Sequence, residues 1–168
     1  MIESGHPRPS ATSETIAIRG GGHDDLDGVI GVMDAAFDSR FGERWTRSQC
    51  AGILPMSGVD LRLAHDASAH IIGFTLARVV GDEAELLLLA VDPAFQKRGV
   101  GRMLLADFVA RANHRGAHQL HLEVRDGNPA LALYDSAGFA VAGRRPGYYH
   151  GPGGQLHDAL TLRLASDC

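Results

Sequence analysis

Apolar and polar positions follow two different periods along the chain, one typical of strands and one typical of helices. Residues 59–64 and 119–124 alternate between apolar and polar side chains, as a strand with one buried face does. Residues 84–91 are almost entirely apolar, as expected of a strand that is covered on both faces. The predicted strands are 15–19, 59–64, 71–80, 84–91, 119–124, 139–143 and 159–164.

Helical spacing appears in four segments. The clearest stripe begins at Leu26 and recurs every three or four residues up to Phe37. The last segment is opened by Asn128 with Pro129 at its first position, where the missing N–H has no intrahelical role. The predicted helices run from Asp24 or Asp25 to Phe37, from Thr46 to Leu54, from Gly99 to His114 and from Asn128 to Gly138.

The order of these elements indicates an α/β chain of mixed topology. Gly81 and Asp82 separate two strands with a turn signal, which favours a hairpin. The last two strands are predicted to form an antiparallel pair across a Gly-rich loop at 151–154, within a longer loop at 144–157. Hairpins combined with one strand–helix–strand crossover predict a mixed sheet with helices on both faces.

Composition narrows the class of protein. The 168 residues carry a net charge of −4, so no broad basic face is available for nucleic acid. The longest apolar run, residues 86–91, is far shorter than the roughly 18–20 residues that span a bilayer. Residues 1–13 are predicted to form a disordered tail, and 14–168 a single domain. Cys50 and Cys168 provide no disulfide framework, so a cytoplasmic location is expected.

Candidate chemistry concentrates in residues 91–102, where a buried strand runs through a short loop into a long helix. A helix begins with about four backbone N–H groups that lack intrahelical partners, at the positive end of the helix dipole. Gly99 and Gly101 would let a ligand oxygen approach these groups closely, while Lys97, Arg98 and Arg102 add positive charge. The segment predicts a phosphate or pyrophosphate site, with an ordinary Gly-rich helix entry as the alternative.

Two nucleotide motifs do not fit this loop. The Gly-Lys-Ser/Thr sequence of a P-loop is missing after the glycines. The spacing also differs from the Gly-x-Gly-x-x-Gly fingerprint of dinucleotide-binding domains. The phosphate ligand is therefore expected to be held in another way.

The spacing of Gln96, Gly99 and Gly101 resembles the acetyl-CoA pyrophosphate loop of the GNAT acetyltransferase superfamily, and the element order over 15–164 is similar to the GNAT fold. Residues 122–125 (Leu-Glu-Val-Arg), Asn128 and residues 132–139 resemble RimI-type enzymes. These bacterial proteins acetylate the N-terminal alanine of a small-subunit ribosomal protein. The pairs Arg144-Arg145 and Tyr148-Tyr149 extend the resemblance to the C-terminal segment. The resemblance implies a mostly antiparallel sheet of about seven strands.

The resemblance also implies acetyl-CoA as cosubstrate, with no metal. In the family, the strand before the loop splays from its neighbour, and the pantetheine arm pairs in the gap like an added strand. A backbone N–H near Ala90 and Val91 would stabilise the thioester oxygen. The residues implied to bind acetyl-CoA are Leu89, Ala90, Val91, Gln96, Lys97, Arg98, Gly99, Val100, Gly101, Arg102, Asn128 and Tyr134.

Two side chains are implied to carry the chemistry. Glu123 occupies the position of the general base, with a solvated strand glutamate as the alternative. Tyr134 occupies the position of the general acid that protonates the CoA thiolate, with a packing tyrosine as the alternative. A carboxyl group of ordinary pKa is ionised at neutral pH and can accept a proton, while a phenol of ordinary pKa can donate one.

The amine acceptor is less well defined by the sequence. Trp45, Tyr148 and Tyr149 are expected to flank a substrate peptide, with plain packing as the alternative for each. His121 shares the strand face of Glu123 and is given no role. The leading hypothesis is N-terminal acetylation of a protein, possibly ribosomal, by a monomer or weak dimer. The alternatives are acetylation of a small amine or a lysine, and acyl-CoA binding without catalysis.

Overall fold

Alternating and uniformly apolar segments become seven strands of one sheet in the computed structural model, which describes residues 15–164. The predicted tail at 1–13 lies outside the described residues. The strands are β1 (Ala17–Gly20), β2 (Val59–His65), β3 (Ile71–Val80), β4 (Glu83–Val91), β5 (Gln119–Arg125), β6 (Phe139–His150) and β7 (Leu156–Leu164). The α-helices of this part of the chain are α1 (Leu26–Ala36), α2 (Arg47–Ile53), α3 (Val100–His114) and α4 (Leu131–Ser136).

The sheet has the order β1-β2-β3-β4-β5-β7-β6, which confirms the predicted mixed topology. Only β4 and β5 pair in parallel, because α3 forms the crossover between them; the other neighbours are antiparallel. Phe74 and Leu76 of β3 pack in the same apolar cluster as α1. Gly73 faces Val100 and Leu104 of α3 instead, so helices cover both faces of the sheet.

The starts of α1 and α2 agree with the sequence, and the start of α4 differs. The Thr46 side chain accepts from the Gln49 N–H, as predicted of a cap. Asp25 occupies the cap position of α1, but its carboxylate bonds Arg19 and the Gly22 N–H rather than the helix. The predicted start of the last helix at Asn128 is wrong, because residues 128–130 form a turn and α4 begins at Leu131.

The predicted loop at 144–157 is also wrong over most of its length. β6 continues to His150, so the connection to β7 is the short Gly-rich stretch predicted at 151–154 plus Gln155. A bulge interrupts the pairing between Arg145 and Tyr149 and takes up Pro146. β6 lies at the edge of the sheet, where a proline that cannot donate a ladder hydrogen bond is tolerated.

Of the remaining strands, β3 has its predicted bounds, and the others differ from theirs by one to three residues at an end. β1 covers Ala17–Gly20 rather than 15–19, and β7 begins three residues earlier than predicted. Cys50 is a buried free thiol in α2, and burial raises its pKa. Within residues 15–164, no helix combines the length and apolar character that crossing a membrane requires.

Candidate active site

A gap opens between β4 and β5 toward their carboxyl ends. The parallel pairing runs from Glu83 opposite Gln119 to Leu86 opposite Leu122, and it ends there. A bulge in β4 explains the separation: Leu88 pairs with β3, Leu86 also pairs with β3, and Leu87 between them is the extra residue. A bulge bends the strand that carries it. The second half of β4 therefore turns away from β5.

The edge of β4 that faces this gap carries unpaired backbone groups. The Asp92 N–H donates to the Ile72 carbonyl of β3 over 2.8 Å. Successive peptide groups of a strand point to opposite sides. The amides of Leu89 and Val91 therefore face the gap, whereas that of Ala90 points to β3. An extended ligand could pair with this edge as an added strand would.

The loop between β4 and α3 has a constrained backbone. A single 3-10 turn, Pro93–Phe95, is capped by Asp92, and the Gln96 amide donates to the Val91 carbonyl over 3.1 Å. Lys97 has φ 60° and Gly99 has φ 83°; such a φ is uncommon for a lysine and marks a constrained loop.

The first turn of α3 supplies the donors. The Met103 N–H donates to the Gly99 carbonyl over 3.0 Å, and this is the first bond of the helical ladder. The amides of Val100, Gly101 and Arg102 precede it and have no acceptor within the helix. The Val100 side chain is buried, which anchors the helix with these amides at its open end. This end suits a phosphate group.

Tyr134 lies on α4, which packs against β6. Its ring is 6% exposed and meets the Phe139 ring edge-on at 6.1 Å. Burial, and secondly the negative charge of Glu43, raise the pKa of the Tyr134 hydroxyl far above its usual range. The phenol is therefore protonated at any pH that an enzyme assay uses.

Both the oxygen and the nitrogen of the Asn128 side-chain amide form hydrogen bonds within the protein. Its oxygen accepts from the Ala130 N–H over 2.8 Å, and its nitrogen donates to Glu43 over 2.9 Å. These contacts hold the turn between β5 and α4. The resemblance implies a hydrogen bond from Asn128 to the pantetheine arm, and the second amide hydrogen is the group that could donate it.

Glu123 points into a cleft of about 270 Å³ on the opposite side of β5 from Leu122. Its carboxylate accepts from the Thr161 hydroxyl over 2.9 Å and forms an ion pair with Arg145 at 3.1 Å. The Tyr149 hydroxyl donates weakly, over 3.4 Å, to the Glu123 carbonyl oxygen. The Glu123 side chain is 11% exposed, and neighbouring side chains hold its carboxylate at the wall of the cleft.

The three aromatic residues predicted to contact substrate fall into two groups. Tyr148 and Tyr149 meet edge-on at 5.0 Å on β6, and Tyr148 lines the same cleft as Glu123. Trp45 is half-buried and packs against the apolar cluster of α1. Burial raises the pKa of Tyr149, as it does for Tyr134.

An ion-pair network shapes the bulge between Arg145 and Tyr149, which includes Tyr148. Arg144 contacts Asp126 and Asp158, each at 2.8 Å, and Asp158 also accepts from the Gly147 N–H over 3.0 Å. These contacts hold the irregular part of β6 against β5 and β7. The bulge therefore sets the position of Tyr148, which lines the cleft.

Sequence reasoning missed Glu43, which is buried beside Asn128 and close enough to raise the pKa of two tyrosines. A lone charged residue in a connecting segment gives no periodic signal. His121 lines the Glu123 cleft. In the described range 15–164, no group of three or more His, Cys, Asp or Glu side chains could hold a metal ion.

The family model of the GNAT acetyltransferases matches residues 35–139, which is more than half of the chain. The chain belongs to the GNAT acetyltransferase family. The matched stretch includes the β4–β5 gap, the loop before α3 and Glu123. Enzymes of this GNAT family use acetyl-CoA, and the open end of α3 together with the free edge of β4 fits that ligand.

Relatives of this GNAT enzyme confirm the resemblance to RimI-type proteins. The ribosomal protein bS18-alanine N-acetyltransferase of Salmonella typhimurium is 45% identical over 106 residues, which cover 62% of this chain and 70% of that protein. The crystal structure of the Escherichia coli ribosomal-protein-S18-alanine N-acetyltransferase has a TM-score of 0.79 at 30% identity, covering 92% of this chain and 96% of the other. The chain is therefore an N-acetyltransferase.

The fold is also similar to that of a more distant solved structure. The PaiA N-acetyltransferase of Thermoplasma acidophilum, solved in complex with coenzyme A, has a TM-score of 0.71 at 18% identity. The match covers 89% of this chain and 98% of that protein. The GNAT architecture is thus shared over nearly the whole of both chains.

Proposed function

We propose that this enzyme transfers the acetyl group of acetyl-CoA to the N-terminal α-amine of a protein that begins with alanine, as the names of its relatives state for ribosomal protein bS18. One observation carries the chemical part of this proposal. Glu123 and the β4 edge that β5 does not pair follow directly on the point where β4 and β5 separate, and the open end of α3 follows β4 along the chain. Tyr134 packs in the same apolar cluster as Leu86 and Leu122, the last residues of the parallel pairing.

The first requirement of the reaction is a neutral amine. An α-amine has a pKa of about 7.7–8.0, whereas a lysine side chain has one of about 10.4, so the α-amine loses its proton more readily. In this proposal Glu123 takes that proton through a water molecule. The Thr161 and Arg145 contacts hold the Glu123 carboxylate at the wall of the cleft, where the amine would enter.

The second requirement is that the CoA sulfur can leave the thioester carbon as a protonated thiol. The amine nitrogen forms a bond to the thioester carbon, the carbonyl oxygen becomes negatively charged, and the carbon–sulfur bond then breaks. A β4 amide that faces the gap, at Leu89 or Val91, donates to the charged oxygen. Tyr134 then gives its proton to the departing thiolate, which leaves as the CoA thiol.

The third requirement is to hold the cosubstrate. The amides of Val100, Gly101 and Arg102 would bind the pyrophosphate, with Lys97, Arg98 and Gly99 around it and Gln96 fixing the loop to β4. Leu89 to Val91 and Asn128 would line the pantetheine arm. Trp45, Tyr148 and Tyr149 would contact the peptide.

The substrate class is tested by offering three amines with acetyl-CoA and following thiol release. We expect an alanine-starting peptide to react at least about tenfold faster, in kcat/KM, than an N-blocked lysine peptide or a polyamine, since only its amine is substantially neutral at pH 7–8. Reaction of the small amines alone would rule out the peptide substrate. Binding of acetyl-CoA without turnover of any amine would make the chain a binding module.

Removal of the Tyr134 hydroxyl is expected to reduce kcat in Tyr134→Phe about 10²-fold, within the range of general acid catalysis. The dissociation constant of CoA should stay within about threefold, because the buried ring still packs on Phe139. In the parent enzyme, the raised pKa of Tyr134 predicts no loss of kcat up to pH 10. Unchanged turnover in the variant would remove Tyr134 from the mechanism.

A further inference from the structure

Glu43 is unusual in its burial. It follows the 3-10 turn Ser39–Phe41 and precedes α2, in the segment that connects the first two helices. With 9% of its surface exposed, it is the single charged residue classed as buried between residues 15 and 164. A buried carboxylate persists only when partners compensate its charge. Its partners therefore indicate why it is there.

Both partners of Glu43 belong to the junction between β5 and α4. One carboxylate oxygen accepts from the Asn128 amide over 2.9 Å, and the other lies 3.3 Å from the Arg125 Nε. That second pair has ion-pair distance without hydrogen-bond alignment, and Arg125 is itself 11% exposed. The Arg125 guanidinium also stacks over the Phe41 ring at 3.7 Å. Glu43 and Phe41 thus enclose Arg125 from one segment.

The segment at residues 39–45 also contacts the β6–β7 hairpin. The Phe41 ring meets the His157 ring edge-on at 5.1 Å. Gly42, with φ 70°, passes so close to His150 that a β-carbon would collide with its carbonyl oxygen. Residues 39–45 therefore touch the end of β5, the start of α4 and the hairpin that carries Tyr148 and Tyr149.

We propose that Glu43 is a positioning residue that fixes segment 39–45 to the β5–α4 junction, and so holds the peptide side of the cleft at a set distance from Asn128 and the acetyl-CoA side. The assignment of the two sides rests on the proposed function. Glu43 acts through Arg125, Asn128 and the segment that leads to Trp45, and it touches none of the reacting atoms.

The charge of Glu43 matters more than its shape. An amide in its place could still accept from Asn128, but it would leave Arg125, whose side chain is 11% exposed, without its ion-pair partner. Loss of one partner of a buried pair is costly because the other charge stays uncompensated. The segment is then expected to detach from Arg125, while the α3 end of the site, which Glu43 does not contact, stays intact.

The test compares Glu43→Gln with Asp27→Asn. Asp27 is the control because it is an exposed carboxylate of α1 whose ion pair with Arg47 lies outside segment 39–45. In Glu43→Gln we expect the KM for an alanine-starting peptide to rise about tenfold, as expected of residues coupled in one network. Its kcat should stay within about threefold and its acetyl-CoA dissociation constant within about twofold of the parent. Asp27→Asn should match the parent.

A double variant separates pairing from a general loss of structure. If Arg125 is harmful only when Glu43 no longer neutralises it, Glu43→Gln combined with Arg125→Met should bind the peptide no worse than Glu43→Gln alone. Additive losses in the double variant, or an equal rise in the KM for peptide and for acetyl-CoA, would overturn the positioning role.

Hydrogen exchange gives a readout that does not depend on the substrate. Amides of residues 40–46 and 126–130 should exchange faster in Glu43→Gln than in the parent, while those of α3 should not change. If no alanine peptide reacts with the parent enzyme, the proposed function fails, and this exchange pattern alone decides on Glu43. Unchanged exchange in both segments contradicts the proposal.

Discussion

Gly101→Glu is expected to abolish acetyl-CoA binding. The residue lies in the first turn of α3, where a β-carbon would already come within 3.2 Å of Leu133 and 3.7 Å of Val91. A glutamate would add bulk between α3 and α4 and place a negative charge at the end that attracts anions. Burying that charge beside a pyrophosphate costs more than about 3 kcal/mol, which corresponds to at least about a 100-fold loss of affinity.

Two further variants separate charge from bulk at this position. Gly101→Gln adds the same bulk without the charge, so it should lose less affinity than the glutamate variant. Gly31→Glu is the control for the glycine-to-glutamate change, since Gly31 is exposed on α1 and has open space around it. We expect it to bind like the parent in a calorimetric titration. Retained affinity in Gly101→Glu would contradict the assignment of the loop.

Glu123→Gln is expected to lower kcat by 10²–10³-fold, the range that a general base contributes. The amide keeps the shape of the side chain and can still accept from Thr161, but it cannot take a proton from the amine. The acetyl-CoA dissociation constant should stay within about twofold, because the pyrophosphate end of the site lies on α3. Steady-state kinetics with an alanine-starting peptide measure the loss.

Asp27→Asn provides the control for the carboxylate-to-amide change. Asp27 is an exposed carboxylate on α1 and is not among the residues that line the Glu123 cleft. Its kcat should equal that of the parent. If Glu123→Gln also retained full kcat, Glu123 would be a solvated strand residue and another group would have to accept the proton.

The fold follows from the sequence wherever period and capping agree. The stripe from Leu26 and the Thr46 cap reproduce α1 and α2, and the turn at Gly81 and Asp82 reproduces the β3–β4 hairpin. The failures have local causes. Asn128 bonds the Ala130 N–H in a turn of its own, which delays α4, and the bulge at Pro146 lets β6 continue where a proline normally ends a strand.

The candidate site also has parts that the sequence predicts and parts that it does not. Gly99 and Gly101 predict the anion-binding end of α3 because helix geometry alone leaves its amides free. The bulge at Leu87 has no such signal, since residues 86–89 are all leucine and alternation cannot reveal which one is extra. Glu43 lies 85 positions before the Asn128 that it contacts, and only the folded chain brings them together.

The central claim is that the exposed amides at the start of α3 bind the pyrophosphate of acetyl-CoA while the β4 edge binds its arm. Calorimetric titration of the parent protein with acetyl-CoA, and separately with S-acetylpantetheine, which lacks the pyrophosphate, tests this claim directly. We predict saturable binding of acetyl-CoA at one site per chain and at least about 100-fold weaker binding of the pantetheine thioester. No heat with acetyl-CoA, or equal affinity for the two ligands, would contradict it.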